Sequence, residues 1–124
     1  MTKEIPMTYL IFQHECKPFK ADINLELISL ISAMGKKDNV IVADSVGNLL
    51  LYCANFCKDN ELSLENIMAL SNLKFNTGYQ LLFDELAREI RILTKENIQL
   101  VVHILQTILK NRDLKLADIL KEKL

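Results

Sequence analysis

Residues Leu62–Ile90, LSLENIMALSNLKFNTGYQLLFDELAREI, decide how this chain is expected to fold. Two amphipathic helical segments are written there around a short polar turn. Ser63 can cap a short helix that carries Leu64, Ile67 and Met68 on one side. After Ser71 and Asn72 a longer helix is expected from near Asn76, running through Tyr79, Leu82, Phe83, Leu86, Ala87 and Ile90 at helical spacing. Its polar side collects Thr77, Gln80, Asp84 and Arg88, so a carboxylate stands in the middle of that face.

Upstream, Val46, Leu49, Leu50, Cys53, Ala54 and Cys57 form one wide apolar stripe from Ser45 to the polar run Lys58, Asp59, Asn60, Glu61, which is the pattern of a core helix. Asn39–Ala43 (NVIVA) reads two ways: its β-branched run suits a short strand, while Val42 is in phase with Val46 and Leu49. Before it, Asp22 caps a helix with Ile23, Leu27, Leu30, Ile31 and Met34 on one face, and Gly35 is the expected stop. Met7–Gln13 (MTYLIFQ), short and rich in β-branched and aromatic residues, is expected to be a strand closed by Pro18. Downstream, Thr94 can cap a helix whose Ile98, Val101, Val102, Ile104, Leu105, Ile108 and Leu109 exceed a single stripe. Such breadth implies two packing partners, one of them a second subunit. Asp113 is expected to start a last short helix with Leu116, Ile119, Leu120 and Leu124.

The architecture expected is mainly α: a single compact domain of about five to six helices, with one or two short N-terminal strands. Its core would span 45–90, and 22–34 and 95–124 are candidate dimerisation helices in a homodimer. Glycine and proline are scarce and the net charge is −1, so no overall field draws the molecule onto nucleic acid or an acidic membrane. Three cysteines, two of them on the apolar stripe, exclude a full disulfide framework and favour a reducing compartment. No apolar run is read as membrane-spanning and Met1–Pro6 lacks signal-peptide features, so a cytoplasmic protein without membrane contact is expected.

The central stretch resembles a helix-turn-helix. Ile67 and Met68 match the hydrophobic pair of the first helix. Asn72 takes the turn position that tolerates left-handed geometry, and Leu73 the buried position after it. The helix from Ser45 would complete the tri-helical core of winged-helix and related transcription regulators. The resemblance implies that Lys74, Asn76, Thr77 and Gln80 face the major groove of double-stranded DNA. The sequence departs from the pattern at Lys74, where a capping hydroxyl is common, and at Gly78, where a packed valine is common. From Leu62 to Thr94 the basic residues are Lys74, Arg88 and Arg91, against Glu65, Asp84, Glu85 and Glu89. A DNA footprint is normally clearly basic.

Other chemistry is sparse. His14 and Cys16 with Cys53 and Cys57 allow a zinc site to be drawn, but Cys53 and Cys57 are in phase with buried leucines, so no metal is expected. His103 falls among Gln99, Gln106 and Lys110 on a polar helix side. No phosphate loop, nucleophile elbow or acid–base pair is visible, so neither catalysis nor a cofactor is expected. Two functions remain: a homodimeric DNA-binding regulator, favoured by the turn, and a non-enzymatic adaptor or inhibitor that binds a protein partner, favoured by the acidic face.

Overall fold

The computed structural model describes residues 7–69 and 79–124, with only the backbone for Tyr79 and Gln80. Within them the chain is all-α, with seven helices and no strand. α1 is Tyr9–Glu15, α2 Ile23–Lys36, α3 Asn39–Asp59, α4 Leu64–Ala69, α5 Tyr79–Ile90, α6 Ile98–Asn111 and α7 Leu116–Glu122.

The expected N-terminal strands are helical, and the reason is visible in the packing. Thr8, in extended backbone, accepts from the Ile11 amide at 3.3 Å and starts α1. Helical spacing then puts Tyr9 and Phe12 on one face, both buried, where strand alternation would have turned one of them outward. Gln13 extends from α1 to the next layer: its Nε2 donates to the Leu62 carbonyl at 2.6 Å and its Oε1 accepts from the Leu64 amide at 2.8 Å. Asn39–Ala43 is likewise the first turn of α3, capped by Asp38, whose carboxylate accepts from the Ile41 amide at 3.2 Å. With this segment helical, a strand at Met7–Gln13 would have had no ladder partner.

α3 is the axis of the fold. Val42, Val46, Leu49, Leu50, Cys53, Ala54 and Cys57 are buried, and α1, α2, α6 and α7 all pack against it. By length and composition its 21 residues could cross a membrane, a property hidden from the sequence reading by the ambiguity at its start. Half of that apolar stretch is buried inside the fold. α2 runs antiparallel to α3, pinned where Ser45 Oγ donates to Ser29 Oγ at 3.2 Å and Asn48 Nδ2 to Glu26 Oε1 at 3.0 Å. Arg112, just beyond α6, clamps the tip of this hairpin by donating to the Met34 carbonyl at 2.7 Å and to Asn39 Oδ1 at 3.0 Å.

Three helix ends share one device. Lys37, Glu61 and Asp113 have φ of 57°, 56° and 56°, the left-handed region normally given to glycine. At each, the following amide reaches back five residues: Asp38 to Ala33 at 3.0 Å, Leu62 to Cys57 at 2.8 Å and Leu114 to Leu109 at 2.9 Å. These are Schellman turns made without glycine. They correct two expected boundaries: α2 runs past Gly35 to Lys36, and Asp113 ends one helix rather than starting the next.

Ser63 behaves as the sequence suggests, its Oγ accepting from the Asn66 amide at 3.2 Å. Thr94 acts one turn earlier than expected: its Oγ1 accepts from the Glu96 and Asn97 amides at 3.2 and 3.1 Å and holds the turn that leads into α6, whose N-cap is Asn97. Asn97 then ties the α5–α6 turn by donating to the Ile92 carbonyl at 2.8 Å. Every apolar residue that made α6 look too broad is buried within the chain, against α3, α4 and α5. α7 crosses α3 over Gly47, where a Cβ would lie 2.7 Å from Lys123 Cε and 3.2 Å from Ile119 Cγ2. The missing side chain lets the Lys123 stem lie down and its ammonium reach Asp44 at 2.5 Å.

Candidate interaction surfaces

The residues implied as DNA contacts fall mostly outside the described part. Lys74, Asn76 and Thr77 are not described, nor are Asn72, Leu73 and Gly78, and of Gln80 only the backbone in the first turn of α5 is. What flanks them is described. Ile67 and Met68 pack against the core, as the first helix of a helix-turn-helix would require. Leu82, Leu86 and Ile90 bury one side of α5 against α6. The opposite side presents Leu81 at 63 % exposure, then Asp84, then Arg88 in an ion pair with Glu85. One of the two arginines there is therefore already matched by a carboxylate, and Asp84 stands exposed beside it.

The cysteines are thiols of the core. All three are free and buried, and burial pushes the Cys57 thiol up to about 11 and Cys53 higher still, so both are neutral at ordinary pH. Metal binding needs the thiolate. His14 is exposed, and among the described residues no three His, Cys, Asp or Glu side chains converge on a common point. His103 is half-buried on α6, and that burial lowers its pKa.

A further surface lies on the α2–α3 hairpin, of which only the 22–34 helix was expected to meet a partner. Leu25 and Ile28 are 65 % and 62 % exposed on α2, and Val40 and Ile41 are 80 % and 42 % exposed on the first turn of α3. Among the described residues there are seven exposed large apolar side chains, and four belong to this hairpin. The signal was present: Leu25 and Ile28 are out of phase with the Leu27–Leu30–Met34 stripe, and once Val42 faces the core Val40 cannot.

Two concavities adjoin α3. Near its N-terminus a groove of about 440 Å³ separates it from α7. Val40, Ala43, Leu114 and Ile119 form its apolar lining, Asp113, Asp118 and Glu122 are exposed along it, and Lys115 is its one lining cation. At the far end a cleft of about 590 Å³ is lined by Phe19, Tyr52 and Phe56, the first two in an edge-to-face contact with ring centroids 5.1 Å apart. The polar wall of that cleft is committed to the fold, since Asn55 Nδ2 donates to the Lys17 and Leu51 carbonyls, both at 2.9 Å. Comparison with protein-family models, curated proteins and solved structures finds no match to this chain.

Proposed function

We propose that the protein is a non-enzymatic protein-interaction module whose docking surface is the outer face of the α2–α3 hairpin. The observation that carries this reading is that Leu25, Ile28, Val40 and Ile41 of the hairpin stay exposed, whereas Ile98, Val101, Val102, Ile104, Leu105, Ile108 and Leu109 of the other apolar helix, α6, are all buried. Soluble chains expose single aliphatic residues freely, but four on one hairpin suit a partner that covers them. Of the expected dimerisation helices, 22–34 and 95–124, α6 in the second keeps only the half-buried Leu100 partly open, whereas α2 in the first exposes Leu25 and Ile28, so self-association also belongs on the hairpin. A cytoplasmic location fits this reading through the three free cysteines.

The DNA-binding reading keeps one observation of its own, the packing of Ile67 and Met68 ahead of α5. Against it stand the exposed Asp84 and the paired Arg88, because affinity for DNA rests largely on cations facing phosphate. Pull-down from native lysate, with and without nuclease, separates the two. A protein partner that survives nuclease and is lost with Ile28→Glu supports the module. A gel shift at low salt that strengthens with Asp84→Asn and weakens with Lys74→Ala would replace it with the regulator.

A further inference from the structure

We propose that the groove between α3 and α7 binds a basic, amphipathic segment of a partner protein, with an aliphatic anchor inside the groove and lysines or arginines along its acidic margin. This deepens the interaction-module reading and rests on it. The floor is aliphatic: Val40, Ala43, Leu114 and Ile119 line it, and Val40 has four-fifths of its surface in water. A space of about 440 Å³ lies within the range of roughly 300–1,000 Å³ typical of ligand sites, so it seats side chains rather than a whole helix.

The charge around that floor selects the partner. Asp113, Asp118 and Glu122 are all exposed along the groove, and among the described residues none of them forms an ion pair. Asp44, one turn along α3 from Val40, is held by Lys123 and is not available in the same way. The cations nearby do not cancel the margin. Among the described residues Lys115 is the only one in the lining, and Arg112 is occupied by Met34 and Asn39. Lys36 ends α2 and Lys37 caps it, two residues before Asn39, and neither they nor Lys121 on α7 line the groove. Carboxylates spaced at Asp118 and Glu122 along one helix face match cations at the same spacing on an apposed helix, and such complementarity chooses the partner and speeds encounter. An acidic segment would meet like charge at three of the four charged positions lining the groove.

Val40 lines the groove and is also one of the four exposed apolar residues of the hairpin.

Selection from a random-peptide display library on the full-length protein tests this directly. The expected recovered sequences combine lysine or arginine with aliphatic residues at spacings of three and four. Synthetic copies should bind the double variant Asp118→Lys/Glu122→Lys about tenfold more weakly or worse, and Ala43→Arg, which fills the groove, should do the same. The control pair Asp59→Lys/Glu61→Lys, which makes the same net-charge change at the other end of α3, should leave binding within about twofold. Near-unchanged circular dichroism of the variants excludes unfolding as the cause. Peptides without basic enrichment, or binding insensitive to Asp118 and Glu122 but lost with the control pair, overturn the proposal. A cellular partner lost with Ile28→Glu yet indifferent to Asp118→Lys/Glu122→Lys would keep the interaction module and remove the groove, whereas nuclease-sensitive capture alone would remove the module itself.

Discussion

α6 and the α2–α3 hairpin both carry more aliphatic side chains than one stripe can hold, and they dispose of the excess in opposite ways. α6 runs between α3, α4 and α5 and buries all of Ile98, Val101, Val102, Ile104, Leu105, Ile108 and Leu109. The hairpin lies at the edge, buries Leu27, Leu30 and Val42, and leaves Leu25, Ile28, Val40 and Ile41 outside. Apolar content alone does not identify a surface for a partner. Position in the packing order does, and a broad helix at the centre is less informative than a modest one at the rim.

The comparison breaks most sharply through a cavity. Leu105→Ala on α6 should lower unfolding free energy by about 2–5 kcal/mol in urea titration, the range for a fully buried leucine; a loss near zero would mean that α6 is not central. The core should also be sensitive to alkali. The Cys57 thiol is raised from an ordinary value of 9.0 to about 11, so the unfolded chain gives up this proton first as pH rises. Its contribution to stability is intact below about pH 9 and declines as pH climbs towards 11, which thermal melts across that interval would record. Thiol reagents should label Cys53 and Cys57 at neutral pH only in denaturant.

Smaller effects test the edges. Gly47→Ala removes a helix penalty of roughly 0.5–1 kcal/mol but drives a methyl group into Lys123 and Ile119, so a net loss of about 1 kcal/mol is expected. Combining it with Lys123→Ala should return much of that loss in a double-mutant cycle, and additivity would show that α7 does not sit over Gly47 as described. Glu61→Gly relieves a left-handed residue at the end of α3 and should stabilise by roughly 0.5–1 kcal/mol once glycine's own entropy is subtracted. Ile28→Ser should change stability by no more than about 0.5 kcal/mol while abolishing partner capture. If it unfolds the protein instead, Ile28 belongs to the core.

Most of the helices were legible because their stripes repeat cleanly: α2, α3 from Ser45 onward, α6 and α7 follow from periodicity alone. α1 was not, since seven residues containing Tyr9, Ile11 and Phe12 satisfy strand composition equally well and only the Thr8 cap and the shared burial of Tyr9 and Phe12 decide between them. Helix ends were blurred for a related reason. Glycine is the usual sign of a Schellman turn, and here Lys37, Glu61 and Asp113 do that work. The hairpin surface was half legible: Leu25 and Ile28 could be read as out of phase, but that Val40 stays uncovered depends on where α7 crosses α3, which no local pattern encodes. The implied DNA contacts Lys74, Asn76 and Thr77 lie outside the described residues, so their reading rests on the turn pattern alone.

The position of α3 bears on how the protein is made. Two of its four packing partners, α6 and α7, are encoded after it, and the bonds that close the fold join Tyr9 to Gln106, Met34 to Arg112 and Asp44 to Lys123. At synthesis rates of about 5–20 residues per second, roughly 2–8 s pass between completion of α3 and the start of α6. Until α6 and α7 follow, α3, 21 residues long and apolar enough by composition to span a bilayer, has only α1 and α2 to pack against. The contact between α2 and α3 is therefore the first to shield its apolar face, ahead of the finished core.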